Sequence, residues 1–200
     1  METKERVEKI RELFKKKGYR FFEQGDYNLN IIGVRDKNTP DKFNDEMLVL
    51  FKVKGEWNMM TFSMTTYPGV YWLKSPMTKE GCAILKEGQY PSTYQIGKHF
   101  SIEALVQTGG QVEVYRDNSK DDTIQLIESS IIKGYFGINI HPVMDKNNMT
   151  VGQDSAGCQV FKNYEDFEIF MSLCKKASSL YGNTFTYTLI NRKEFENEGR

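Results

Sequence analysis

Histidine, cysteine and net charge are what this 200-residue chain has least of. It holds two His, three Cys and five Pro, and its 27 Lys and Arg match its 27 Asp and Glu, so the formal charge is zero. Two His without a Cys-x-x-Cys pair leave no zinc set, so no metal and no cofactor are expected. An odd number of Cys without paired spacing argues against a disulfide framework and for a reducing compartment. A balanced charge provides no whole-chain field toward nucleic acid or an anionic membrane. No apolar run reaches the length of about eighteen residues that a spanning helix needs, so membrane insertion is not expected. The first residues, Met1 to Ile10, are charged and lack an apolar h-region, which predicts synthesis in the cytoplasm without a secretory signal.

What is present suits a folded core. With 39% hydrophobic and 13% aromatic residues, the chain can bury a sizeable interior in one domain. Val7, Ile10, Leu13 and Phe14 recur at helical spacing, predicting an amphipathic helix that ends near Gly18, within an N-terminal element at 1–24. From residue 28 the period becomes that of strands. Short β-branched or aromatic runs at 29–35, 47–53 and 57–64 are joined by a turn-rich segment at 36–45 and by a Lys54-Gly55-Glu56 hairpin turn. Residues 66–98 read as loop-rich and dense in aromatics, either padding the core or lining a groove. Residues 104–116 read as a hairpin centred on Gly109-Gly110. Asp117 to Asp122 faintly resembles a calcium loop, but Asp122 stands where the turn needs Gly, so an Asx-rich turn is expected. A helix over Tyr164 to Leu180, stopped by Gly182, a strand at 184–190 and a charged, frayed tail at 191–200 complete the chain.

The chemistry concentrates between Gly134 and Phe161. His141 closes an apolar run, Tyr135-Phe136-Gly137-Ile138-Asn139-Ile140, and Cys158 follows seventeen positions later inside Ser155-Ala156-Gly157-Cys158. A nucleophilic thiol needs a base within hydrogen-bond reach and backbone N–H groups to receive an oxyanion, and a strand, a loop and a tight Gly-Cys turn can supply all three. Cys82 and Cys174 sit in apolar runs and read as buried hydrophobes. His99, the remaining histidine, reads as a surface or structural residue, and the methionines at 59, 60 and 64 as core filler.

This pattern of an apolar strand ending in His, a variable spacer and Ser-x-Gly-Cys resembles the signature of the L,D-transpeptidase catalytic domain (YkuD type). The resemblance is specific over 134–161 and loose over about 28–190. It implies a mostly β fold, a β-sandwich with an N-terminal helix and one helix after the Cys, spanning 25–190. It implies that Cys158 is the nucleophile and His141 its base, with Ser155 and Gly157 supporting the oxyanion. It also implies that Tyr90, Gln159 and Tyr135 help bind the substrate, and that the partners are peptidoglycan stem peptides or muropeptides. The chain departs from the family at Pro142, where Gly usually follows the His, and at Val160, where the family has Arg. Without that bidentate carboxylate partner, hydrolysis is favoured over transpeptidation, as in a lysin released to the cell wall by lysis. A non-catalytic binding or structural module on the same fold is the rival expectation.

Overall fold

The computed structural model describes residues 3–36 and 39–197. In chain order the elements are α1 (Thr3–Lys17), β1 (Asn30–Arg35), β2 (Asp45–Val53), β3 (Glu56–Thr65), α2 (Val70–Lys74), β4 (Cys82–Leu85), β5 (Gly88–His99), β6 (Ile102–Gln107) and β7 (Val112–Asp117). They continue with β8 (Ile132–Gly134), β9 (Ile140–Pro142), β10 (Gln159–Phe161), α3 (Tyr164–Tyr181), β11 (Phe185–Asn191) and α4 (Arg192–Asn197). The protein is therefore mostly β, with helices packed around the sheets.

Eight strands close into a barrel in the order β1-β11-β5-β6-β9-β10-β3-β2, and β4-β7-β8 form a separate small sheet. Facing sheets were expected. Closure happens because β1 pairs with β2 on one side and, in parallel, with β11 on the other, while β3 is joined to β10, leaving the large sheet no edge. Alternation along a strand shows which residues face in, but not whether the outermost strands meet.

The barrel interior holds Ile31, Met47, Val49, Tyr94, Leu105, Ile140, Phe161 and Tyr187. The apolar face of α3 joins this core, with Phe161 ring to ring against Phe167 and Phe170 at 5.3 and 5.0 Å. Gly182, with φ +90, ends that helix as expected. On the outside, Val7, Ile10, Leu13 and Phe14 of α1 cover Ile32, Val34, Leu48, Leu50 and Ile190. Strand β1 is consequently buried on both faces, which is why its middle, Ile31-Ile32-Gly33-Val34, is apolar without alternation.

Several local expectations change. In the expected tail Asn191 closes β11 and 192–197 are ordered as α4, whose Phe195 is buried beside α1 and whose Glu194 pairs with Lys17 at 2.7 Å; the last residues of that tail, 198–200, lie outside the described residues, as do Met1, Glu2, Lys37 and Asn38. The 66–98 stretch is largely regular, because β5 runs for twelve residues through Pro91. The ladder with β11 shifts there, so the proline and Ser92 (φ +53) sit in a bulge where a missing N–H breaks no pairing. Gly109-Gly110 does not close a hairpin. It carries the chain out of the barrel, since β6 pairs with β5 and β9 while β7 pairs with β4 and β8. A Cβ on Gly109 would meet the Ser92 carbonyl at 2.3 Å, so glycine serves close approach there. Lys54 and Gly55, both at positive φ, do make the expected β2–β3 hairpin turn. Asp117 and Asp121 cap nearby N–H groups at Ser119 and Thr123 as Asx turns.

One buried network fixes the small sheet to the barrel. Arg35, fully buried at the end of β1, donates to the Leu85 carbonyl (2.8 Å), to Glu87 (2.9 Å), and to the hydroxyl and carbonyl of Thr66 (2.8 and 2.9 Å). Its guanidinium lies 4.4 Å from the centroid of the Tyr67 ring, and Asp45 accepts from the Thr66 hydroxyl at 2.7 Å. No helix among the described residues is long and apolar enough to cross a membrane.

Candidate functional site

Strands β9 and β10 lie side by side in parallel, with Gln159 opposite Ile140 and Val160 opposite His141. Side chains alternate across a strand, so Ile140, Gln159 and Phe161 point into the barrel while His141 and Val160 point out. Cys158, two residues before Val160, continues the outward set, and Asn139, two before His141, joins it. Outside the barrel at this point is a cleft of about 490 Å³, roofed by the start of β4 and by β7. His141, Cys158, Tyr135 and Gly137 line it together with His99, Trp72, Phe100 and Arg116.

The turn before Cys158 is built for that placement. Ser155, fully buried, accepts from the Gly157 N–H (3.1 Å) and donates to the Cys158 carbonyl (2.9 Å), while its own carbonyl accepts from Gly69 (2.9 Å). Gly157 has φ +131, and a Cβ there would lie 2.2 Å from the Ala83 carbonyl of β4. Glycine is needed both for the backbone angle and for the close approach of the small sheet. Because its N–H is already engaged by Ser155, Gly157 is not a free oxyanion donor, and Ser155 clamps the turn.

His141 is 1% exposed, and its Nδ1 lies 2.8 Å from the Pro142 carbonyl. A carbonyl can only accept, so Nδ1 carries the proton and Nε2 is left as the lone-pair nitrogen. The ring stacks on His99 with centroids 4.2 Å apart and planes at 21°. The tautomer of His99 follows by the same accounting. The Gln107 N–H donates to Asn139 Oδ1 (2.9 Å), which turns the Asn139 amide nitrogen toward His99 Nδ1 (3.0 Å) and makes that nitrogen an acceptor. Burial, aided by the neighbouring His99, lowers the pKa of His141 to about 4.

Cys158 is half-buried, and its thiol donates to the Gly137 carbonyl at 3.4 Å. Burial pushes it up to about 11, against the Asn139 N–H, which favours the thiolate. At neutral pH the resting pair is therefore thiol and neutral imidazole, with no ion pair between them. Cys82, at the cleft wall, is 3% exposed, donates to the Ala156 carbonyl (3.5 Å) and is pushed up to about 12 by burial. Cys174 lies fully buried in the core, where burial also raises its pKa.

Of the other residues expected at the site, Tyr135 lines the cleft and is 60% exposed. Tyr90 and Gln159 are elsewhere. Tyr90 is buried in the barrel wall, with its hydroxyl donating to the Lys86 carbonyl at 2.6 Å. Gln159 faces the interior, accepting from the Tyr187 hydroxyl (2.9 Å) and donating to the Gly157 carbonyl (3.3 Å). Both are structural because strand parity turns them away from the cleft. The residues that sequence reasoning did not place here are His99, Asn139, Phe100 and Arg116, while Trp72 belongs to the aromatic stretch at 66–98 that was read as padding the core or lining a groove. Asn139 was signalled by its position two before His141, whereas His99, Phe100 and Arg116 come from distant strands and loops with no local mark. Among the described residues, no group of three or more His, Cys, Asp or Glu is placed to hold a metal ion.

No family model, no curated protein and no solved structure matches the chain. Fold and site alone define its class: a mostly β protein with a cysteine and a histidine in one cleft between a barrel and a small sheet.

Proposed function

We propose that the protein is a cysteine acyl-transfer enzyme that hydrolyses peptidoglycan stem peptides. The observation that carries the reading is the shared outward face of β9 and β10, which sets Cys158 and His141 in one cleft. The substrate class rests on the resemblance of residues 134–161 to the L,D-transpeptidase signature.

In this reading His141 Nε2 takes the Cys158 proton as the sulfur attacks the carbonyl of the scissile bond. With the thiol near 11 and the imidazole near 4, proton transfer accompanies bond formation instead of preceding it. The Cys158 N–H receives the oxyanion. The imidazolium gives its proton to the departing amine, leaving a thioester on Cys158. Water, losing its proton to His141, then attacks the thioester and releases the acid and the thiol. Hydrolysis is preferred because β10 continues from Cys158 into the buried Gln159-Val160-Phe161, which adds no second cation beside Arg116 of β7 to orient a second stem as acceptor.

One observation favours the rival, a non-catalytic binding module: the resting thiol is bonded to a carbonyl and held protonated. Incubating the protein with muropeptides and reading products by mass separates the two. Shortened stems that disappear with Cys158→Ala support the enzyme. A D-amino-acid exchange product would support a transpeptidase, and no product at all would leave the binding module.

A further inference from the structure

The cleft contains one side chain that is always cationic, and it comes from the small sheet. Arg116, on β7 opposite Ala83 of β4, is the sole Lys or Arg among the lining residues. Its Nη1 donates to the Gly81 carbonyl (3.0 Å), and its guanidinium lies 4.9 Å from the centroid of the Phe136 ring. Among the described residues it makes no ion pair, and its Nε is buried with no hydrogen-bond partner. The single carboxylate on the cleft wall, Asp154, is engaged by the Met144 N–H (3.0 Å) and the Asn148 amide (2.8 Å). A guanidinium on a cleft wall with no carboxylate partner is available to pair with an anionic ligand.

Two short paths tie this guanidinium to the thiol. Phe136, beneath it, precedes Gly137, whose carbonyl takes the Cys158 thiol. Ala83, its ladder partner, presents its carbonyl to Gly157. A planar fork of N–H donors matches a planar carboxylate. One guanidinium among Trp72, Ala83, Phe136 and Ile138 is a poor cage for a doubly charged phosphate.

We propose that Arg116 is the carboxylate-binding residue of the cleft, so that the acyl donor is a peptide carrying a free carboxylate close to the bond that Cys158 attacks. This inference rests on the acyl-transfer reading and names its substrate class.

The test uses two thiol reagents of nearly equal size, anionic iodoacetate and neutral iodoacetamide. The rate of Cys158 labelling by each is measured by peptide mass mapping in the wild type, Arg116→Gln and Arg116→Lys. The iodoacetate-to-iodoacetamide ratio should fall about fivefold or more in Arg116→Gln and stay within about twofold in Arg116→Lys, because the retained charge still recruits the anion. In the wild type, about 1 M sodium chloride should lower the ratio toward the Arg116→Gln value. An equal ratio in wild type and Arg116→Gln, with muropeptides still cleaved, overturns the role of Arg116 and leaves the proposed function standing. The expected fall without any muropeptide cleavage does the reverse. Failure of Cys158 to react with either reagent overturns both. Should Arg116→Gln lose its circular dichroism spectrum, the wild-type salt dependence decides, and a ratio indifferent to salt overturns the proposal.

Discussion

The seam between the barrel and the small sheet is sealed at one end of β4 and open at the other. At Leu85 the fully buried Arg35 meets a carbonyl, a carboxylate, a hydroxyl and an aromatic face. At Cys82 and Ala83, three and two positions before Leu85, the same strand forms the wall of the cleft that holds Cys158 and His141. The first end has its polar groups satisfied and holds the two sheets in register. The second brings a thiol, an imidazole and a guanidinium to the lining of one cleft. A rigid clamp next to an incompletely satisfied pocket is the arrangement that pre-organised chemistry requires.

Breaking the open end should affect chemistry and leave the fold. Cys158→Ala should reduce muropeptide turnover by about 1,000-fold or more, since it removes the bond-forming atom. Its thermal melting should stay close to the wild type, as the lost sulfur is half-buried at the cleft surface. Retained turnover would mean that Cys158 is not the nucleophile.

Breaking the sealed end should do the opposite. Arg35→Ala leaves Asp45 and Glu87 without their buried counter-charge and should destabilise the protein by about 3–5 kcal/mol in denaturant titrations. If stability changes little, the seam is held by apolar packing instead.

The pH response sharpens the comparison. His141 is lowered from 6.5 to about 4 in the folded state. Between those values the unfolded chain binds the extra proton, so the stability that neutral His141 contributes is fully present above 6.5 and is lost as pH falls to about 4. The loss is on the order of 3 kcal/mol. Carboxylates titrate in the same range, so the measurement is the difference in pH slope between the wild type and His141→Gln. Equal slopes would show that the imidazole is not held neutral by its surroundings.

The smallest effect lies where the two ends of the seam are coupled through the turn. Gly157→Ala must fit a Cβ against the Ala83 carbonyl at an unfavourable φ, which should cost about 1–3 kcal/mol and move β4 from the cleft. Slower labelling of Cys158 at unchanged unfolded fraction would report that movement. A variant as stable as the wild type would show that β4 yields at little cost.

How much of this was legible follows from which forces are local. The apolar stripe of α1, the Lys54-Gly55 turn and the face of α3 are encoded within a few residues of themselves, and the structure carries them as read. Barrel closure was not legible, because pairing β1 with β11 joins segments at opposite ends of the chain. Gly109-Gly110 misled because glycine serves a hairpin and a close backbone crossing equally well. At the site, His141, Cys158, Ser155 and Gly157 stood out by local spacing. The parity of β10 could have excluded Gln159: it adjoins Cys158 and must face the other way. His99 and Arg116 reach the cleft from β5 and β7, and only the folded chain brings them there.

The central claim is that Cys158 and His141, which line one cleft, act together. Iodoacetamide labelling of all three cysteines, followed by peptide mapping across pH in the wild type and His141→Ala, tests it most directly. The account predicts that Cys158 reacts first, that its rate climbs as pH approaches the thiol value of about 11, and that His141→Ala slows it. Modification of Cys82 or Cys174 before Cys158, or a Cys158 rate indifferent to His141, would contradict it.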